Sequence, residues 1–210
     1  MGILKILANK PWEASGEIDN LEGGGVVEAP PARVGLWAFL AVATSLFGLF
    51  SSAYHMRAEY ADWQQLSVPA LLWLNTAILI LASVAFQWAW MASRNGRLQA
   101  VRDGLSLGGL LTLAFLILQL VAWNQMINAG FFAQSNPANA FFYLLTGLHG
   151  LHLIGGLWVW QRTTSRFWAG LDQEDAEQVG AFRLRVELCA IYWHFLLLVW
   201  LVLFGMMLST

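Results

Sequence analysis

The amino-acid sequence predicts an all-α, polytopic membrane protein in which five transmembrane helices form a bundle and the N-terminus lies in the cytoplasm. Hydrophobic residues make up 58% of the chain and charged residues 11%, whereas charged residues make up about 25% of a soluble domain. Five apolar stretches are long enough to cross a hydrocarbon layer about 30 Å thick. Lysine and arginine occur almost entirely in alternate connecting segments. Together these three observations exclude a soluble domain.

The N-terminal segment differs in composition from the rest of the chain. Residues 1–32 carry two lysines, five acidic residues, three consecutive glycines and two consecutive prolines. The apolar part of this segment is too short and too charged to span a membrane. We therefore expect a short helix on the membrane surface over Gly2–Trp12, followed by a linker. Two domains are predicted, a cytoplasmic segment at 1–32 and a transmembrane domain at 33–210.

The five predicted spans have approximate bounds 33–56, 68–92, 104–128, 139–161 and 183–208. Their orientation follows from the connecting segments. Ten of the eleven Lys and Arg residues lie in three segments, at 1–33, 93–103 and 162–185. Because cytoplasmic loops of membrane proteins are enriched in these residues, the distribution predicts a cytoplasmic N-terminus and places Thr210 on the opposite side.

Histidines near the middle of two spans are the candidate functional residues. Phe141–Trp160 contains no Asp, Glu, Lys or Arg but holds His149 and His152, which share one helix face. His194 lies at a similar depth in the fifth span, so the three imidazoles could meet. Neutral imidazole is a common metal ligand, and a metal or haem site is therefore one hypothesis.

Two observations favour a structural role for these histidines instead. His149 and His152 lie on one face of one helix and cannot bind the two opposite sides of a single haem, and no carboxylate lies at that depth. We expect the imidazoles to form hydrogen bonds with backbone carbonyl groups or with the hydroxyls of Thr146 and Tyr192. The sequence therefore predicts no metal ligand, no cofactor ligand and no catalytic residue in this chain.

A stripe of small residues in the first span predicts close contact with another helix. These residues recur at steps of four, three and four, and we call them the small-residue seam: Ala41, Ser45, Gly48 and Ser52. Small side chains let two helix backbones approach closely, which favours association within a membrane.

Carboxylates are nearly absent from the spans. Glu187 lies four residues after Arg183, a spacing that predicts an ion pair on one helix face near the cytoplasmic surface. The sequence contains no glycine-rich phosphate loop and no nucleophile beside a base. These features are typical of a structural protein rather than of a catalyst.

Motifs in four spans resemble subunit III of the haem-copper terminal oxidases, in its short five-helix bacterial form. The strongest motif is Thr146–His152 followed by Gly155, and the fifth span adds Glu187 and Tyr192-Trp193-His194-Phe195 with Val199-Trp200. Further similarity lies in Gly35–Leu40 and Leu74–Leu79. The resemblance covers about 33–208 in the order of the family.

The resemblance implies a helical bundle split by a lipid-filled cleft, in a bacterial plasma membrane, with bound phospholipid. It also implies that haem and copper lie in partner subunits. The chain would pack beside catalytic subunit I, which reduces oxygen. The whole complex would take part in aerobic electron transport and proton translocation. The chain would then be a non-catalytic subunit of an oxidase. The family-motif residues would be structural: His149, His152, Glu187, Tyr192, Trp193 and His194.

Three positions depart from the family pattern. Ala43, Ala122 and Leu197 stand where the family usually has acidic residues. Their replacement leaves open whether the subunit influences proton uptake, and the electron donor, cytochrome c or quinol, is also open. The alternatives are an accessory subunit of nitric oxide reductase, a small transporter and a haem-binding membrane protein.

Overall fold

Five α-helices contain most of the residues that the structure describes. The structure is a computed structural model, and it describes residues 30–64, 68–168 and 176–209. The helices are α1 (Pro31–Ala58), α2 (Leu71–Arg94), α3 (Leu98–Asn128), α4 (Pro137–Trp168) and α5 (Ala176–Ser209). These ranges contain no strand. The predicted surface helix over Gly2–Trp12 lies outside them.

Each of the five helices is long and apolar enough to cross a membrane. The prediction of five transmembrane helices is therefore confirmed, but three helix ends differ from the predicted bounds by six or seven residues. The third helix begins at Leu98, the fourth continues to Trp168 and the fifth begins at Ala176. Charged residues limited the predicted spans because they are costly in hydrocarbon. Backbone hydrogen bonding has no such limit, so these helices continue past the apolar region.

Four of the helices form a ring. Helix α2 packs against α3 and α5, and α4 packs against the same two helices. Helix α1 lies outside this ring, since no Cα atom of α1 comes within 8 Å of a Cα atom in another described helix. Its buried residues nevertheless recur at helical spacing on one face: Leu40, Ala43, Phe47 and Tyr54. Helix α1 therefore contacts the ring through long side chains.

Tryptophan side chains form hydrogen bonds between the helices of the ring. The indole Nε1 of Trp193 donates to Thr112 Oγ1 (2.8 Å), and that of Trp200 donates to Thr76 Oγ1 (2.9 Å). These bonds connect α5 to α3 and to α2. Each threonine hydroxyl donates in turn to the carbonyl oxygen four residues earlier in its own helix. Both polar groups are thus paired in the interior, where an unpaired one would be costly.

Two further indole bonds connect α3 with α4. Trp123 Nε1 donates to Thr146 Oγ1 (3.0 Å), and Trp160 Nε1 donates to the carbonyl oxygen of Leu105 (2.8 Å). Thr146 repeats the threonine pattern, because its hydroxyl donates to the carbonyl oxygen of Phe142. Two of the four adjacent helix pairs in the ring therefore share an indole hydrogen bond, namely α3 with α4 and α2 with α5. The bond from Trp193 joins α5 to α3, which are not adjacent in the ring.

Close approach replaces indole bonds where α2 meets α3. A Cβ atom added at Gly104 would lie 2.9 Å from the Cβ of Ala89. Buried amides add a polar link farther along the same two helices, since Asn75 Nδ2 donates to Gln119 Oε1 at 2.9 Å. Small residues and interhelical hydrogen bonds are the two features that stabilise helix pairs in lipid.

The loops after α1 and after α3 meet at one end of the bundle. Asn136 Nδ2 donates to the carbonyl oxygen of Gln64, while its Oδ1 accepts from the backbone N–H of Ala138. In the first of these loops Arg57 pairs with Asp62. Hydrogen bonding from the Arg57 guanidinium holds the pKa of the Asp62 carboxyl below its usual value.

Replacing Gly109 by alanine should destabilise the bundle, because the added methyl group would lie less than 3 Å from the Trp160 indole. We expect a loss of about 1–3 kcal/mol in the free energy of unfolding, as for overpacked cores. Thermal unfolding of the purified chain in mild detergent measures the change.

Gly205→Ala is the matched control, since a Cβ at Gly205 meets no atom within 4 Å. Alanine favours helix by up to about 1 kcal/mol relative to glycine, so this variant should be as stable as the wild type or slightly more stable. Equal destabilisation by both substitutions would contradict close packing of the Trp160 indole against Gly109.

Candidate functional site

The predicted motif of α4 lies where α1, α3 and α5 converge. The His149 side chain is fully buried among three aromatic rings. Ring centroids lie 5.3 Å away for Trp200, 5.9 Å for Phe115 and 6.4 Å for Phe47. Neither ring nitrogen of His149 has a hydrogen-bond partner among the described residues. The expected bond from this imidazole to a carbonyl or hydroxyl group is therefore absent from the described structure.

His152 connects α4 to its neighbours in the expected way. Its Nδ1 is 2.8 Å from the carbonyl oxygen of Leu148, as predicted for a structural histidine. The Tyr192 hydroxyl donates to the backbone carbonyl oxygen of His152 (2.9 Å) and not to its ring. The Phe47 ring of α1 lies 5.2 Å from the His152 ring. His152 thus contacts both α1 and α5.

Gly156 makes room for this arrangement. A Cβ atom at Gly156 would lie 2.6 Å from the Tyr192 ring. The ring can therefore lie against the α4 backbone only because residue 156 has no side chain. The next residue of the motif, Trp193, points into the ring of helices, where its side chain lies 4.2 Å from Phe86 between ring centroids.

His194 lies elsewhere, so the expectation that the three histidines could meet is not met. Its side chain is exposed on the outer surface, where Nδ1 is hydrogen bonded to Ser83 Oγ and Nε2 lies 2.8 Å from Gln87 Oε1. Both partners belong to α2. The described residues contain no group of three or more His, Cys, Asp or Glu side chains placed to hold a metal ion. Depth along each helix does not determine the direction in which each side chain points.

Glu187 does not pair with Arg183, and that prediction is wrong. Its Oε1 accepts from the guanidinium of Arg33 at 2.6 Å, across the gap between α5 and α1. The pair therefore fastens the first turn of α1 to α5. The spacing of Arg183 and Glu187 made a local pair plausible, but the opposite charge on another helix competes for the same carboxylate.

The small-residue seam is exposed in the described structure. Ala41, Ser45, Gly48 and Ser52 each lie on the outer surface of α1. A Cβ atom at Gly48 would meet no atom within 4 Å. The seam therefore makes no close helix contact within the described part of this chain, and its predicted packing against another helix remains a prediction.

A groove of about 570 Å³ lies between α1, α4 and α5. Its walls are mostly apolar and include Leu36, Phe39 and Val159, while Arg162 and Arg185 also line it. The Arg162 guanidinium lies 3.9 Å from the centroid of the Trp158 ring. The groove follows from the separation of α1 from the ring, which leaves space that side chains fill only in part.

Two of the positions that depart from the family pattern are buried. Ala43 of α1 faces the ring, and Ala122 of α3 is fully buried. Leu197 is partly buried on α5. Small apolar side chains at the first two sites pack against their neighbours and leave no carboxylate inside the bundle at these positions.

Comparison with known proteins supports the resemblance. The family model for cytochrome c oxidase subunit III matches residues 37–209. A cytochrome bo(3) ubiquinol oxidase subunit 3 from Pseudomonas putida is 25% identical over 181 residues, which cover 81% of this chain and 82% of that protein. A cytochrome c oxidase subunit 3 from Corynebacterium diphtheriae is 29% identical over 179 residues, covering 81% and 84%. The corresponding protein of Thermostichus vulcanus is 27% identical over 188 residues, covering 86% and 88%.

Breaking the bond between Arg33 and Glu187 should loosen the start of α1. We expect Arg33→Gln and Glu187→Gln each to increase hydrogen exchange in the first turns of α1 in the purified chain. The effect should be small, because partly exposed ion pairs contribute less than about 1 kcal/mol. Hydrogen exchange followed by mass spectrometry measures it.

The charge-swapped variant, Arg33→Glu with Glu187→Arg, is the control. It keeps the two opposite charges on facing helices, so it should recover most of the lost protection. Unchanged exchange in both single variants would mean that the aromatic contacts alone hold α1.

Proposed function

Because this chain belongs to the cytochrome c oxidase subunit III family, and so is the non-catalytic subunit III of a haem-copper terminal oxidase, we propose that it stabilises catalytic subunit I, the subunit that reduces oxygen. The chain does so as a preformed helical support in the membrane. Haem and copper are held by partner subunits and not by this chain. Electron transfer and oxygen reduction then take place next to the bundle.

The observation that carries this proposal is the role of the family-motif residues in the structure. Tyr192 and Trp193 form hydrogen bonds between helices, Glu187 pairs with α1, and His149 is enclosed by aromatic rings. None of these contacts forms an open site at which a substrate could meet several polar groups. Residues used in this way are suited to maintaining a shape on which another subunit packs.

The small-residue seam supplies one surface for such packing. Its four residues are exposed on α1. A Cβ atom at Gly48 would meet no described atom within 4 Å. In a bilayer, small side chains favour a close helix neighbour, because lipid chains gain little from them. The seam therefore packs against a transmembrane helix of another oxidase subunit.

The groove between α1, α4 and α5 binds a phospholipid. Its apolar walls suit acyl chains, and the guanidinium groups of Arg162 and Arg185 suit a phosphate. Both arginines lie toward the ends of their helices that face the α4–α5 connection. A lipid in this position would fill the space that side chains leave between α1 and the ring.

The N-terminus lies in the cytoplasm and the C-terminus on the outer side of the bacterial plasma membrane. The distribution of Lys and Arg supports this orientation. The hydrogen bond between Asn136 and Gln64 agrees with an odd number of spans between each of these loops and the N-terminus and an even number between each loop and the C-terminus, which puts both loops on one side of the membrane.

Purification of the tagged chain from its native membrane in mild detergent tests the main proposal. The complex should contain the catalytic subunit and give haem bands in a reduced-minus-oxidised spectrum, and the isolated chain should give none. Gly48→Leu should lower the amount of catalytic subunit retained per chain, because leucine would hold the neighbouring helix away from the seam.

Val42→Leu is the matched control, since Val42 is exposed on α1 outside the seam. It should retain wild-type levels of the catalytic subunit. Haem bands from the isolated chain would favour the haem-binding alternative. Full retention by Gly48→Leu would mean that the seam faces lipid.

Reporter fusions test the orientation. Fusions after Leu66 and after Asn136 should report the outer side, and fusions after Asn95 and after Gln173 should report the cytoplasm. The reason is the strong excess of Lys and Arg in alternate segments. The reverse pattern would place the N-terminus outside.

A further inference from the structure

A hydrogen-bonded polar patch interrupts the apolar outer surface of the bundle. It consists of Ser83 and Gln87 on α2 and His194 on α5, and we call it the polar patch. Ser83 is buried, but the His194 side chain is exposed. Most other side chains on this surface are apolar, so the exposure of His194 and the partial exposure of Gln87 need a physical reason.

The hydrogen bonds of the patch fix which donors remain. Gln87 Oε1 can only accept, so the Nε2 of His194 carries the proton and donates to it across 2.8 Å. In a neutral imidazole the other ring nitrogen, Nδ1, accepts from the Ser83 hydroxyl. Both ring nitrogens of His194 are then hydrogen bonded within the patch. The two N–H donors of the Gln87 amide have no hydrogen-bond partner in the described part of the chain.

The polar patch lies within the depth of the hydrocarbon layer. Gln87 is seven residues before the end of α2 at Arg94, which is about 10 Å along the helix axis. Ser83 is one turn deeper. Water and lipid head groups do not normally reach this depth, and a polar group without a partner there is costly.

The surroundings of the patch form an apolar helix-facing surface. The exposed apolar residues at helical spacing from the patch are Ile80, Val84 and Met91 on α2 and Leu198 and Leu201 on α5. Helix α1 contacts the ring on the side of α4 and α5 through Phe39 and Phe47. The surface shared by α2 and α5 is therefore not covered by α1.

We propose that this surface binds a transmembrane helix of the catalytic subunit, and that this helix presents a side-chain hydrogen-bond acceptor to the Gln87 amide. The inference rests on the proposed function and adds the face of the bundle at which that function operates. Polar side chains are used in this way between membrane helices because each has no better partner in lipid. A lipid chain would fit the apolar residues but would leave the amide unpaired.

Site-specific photo-crosslinking in the intact complex tests the position of this face. A benzophenone amino acid replaces Leu198 beside the polar patch, and in a second variant it replaces Ile117 on α3. Both side chains are 61% exposed, so the two positions are matched. Irradiation of native membranes should join position 198 to the catalytic subunit, identified by mass spectrometry, and should not join position 117 to it.

The possible outcomes separate this inference from the proposed function. Co-purification of the catalytic subunit with crosslinks from position 117 and none from position 198 would overturn the inference alone. A crosslink from position 198 to a second copy of this chain would overturn it as well. Failure of the unmodified chain to co-purify with any oxidase subunit would overturn the proposed function.

Substitution of Gln87 tests the hydrogen bond itself. Gln87→Leu should lower the retention of the catalytic subunit in mild detergent about threefold, the size expected for one average interhelical hydrogen bond in a membrane. Val84→Leu, on the same face, keeps an apolar side chain and should leave retention unchanged. Equal retention by both variants would show that no acceptor reaches the amide, which would contradict the inference.

Discussion

Hydrogen bonds from indole N–H groups to threonine hydroxyls govern how the ring of helices is assembled. Lipid chains are as apolar as leucine side chains, so burial of apolar surface gives helices little reason to associate within a bilayer. The indole of Trp193 connects α5 to α3, and that of Trp200 connects α5 to α2. The indole of Trp123 connects α3 to α4. In each case the threonine completes its own bonding within its helix. These contacts combine a large packed ring with a satisfied polar group, and they fix the rotation of each helix about its axis.

Helix α1 follows a different rule, and the groove is a consequence. Its backbone stays away from the ring, and its contacts include the aromatic rings of Phe39, Phe47 and Tyr54 and the ion pair between Arg33 and Glu187. A helix attached through side chains in this way leaves space along its length, and the groove occupies that space. The structure therefore combines a ring of four closely packed helices with a fifth helix that contacts the ring through side chains. The exposed seam of α1 and the polar patch of α2 and α5 lie on the surfaces left for other molecules.

The sequence was sufficient to predict the fold class and the number of spans, because hydropathy reports which segments enter a membrane. The motifs of α4 and α5 were also sufficient to predict the family. The contacts of single residues were harder to predict. His194 turns toward Ser83 and Gln87 because of the rotation of α5, and depth along the helix contains no information about that rotation. Local spacing predicts Arg183 as the partner of Glu187, whereas the partner in the structure, Arg33, lies more than 150 residues away in sequence. Ser83 and Gln87, polar residues one turn apart in an apolar helix, were a signal that the prediction did not use.

A double-mutant cycle on Trp193 and Thr112 tests the central claim most directly. Trp193→Phe removes the N–H donor, Thr112→Val removes the hydroxyl with little change in shape, and the double variant removes both. The free energy of unfolding of the chain in mild detergent is measured for all four proteins. The account predicts a favourable coupling of about 0.6–1.7 kcal/mol, the range from the average to the largest interhelical hydrogen bonds measured in a membrane protein. Additive effects of the two substitutions would mean that the bond contributes nothing beyond packing, which would contradict the account.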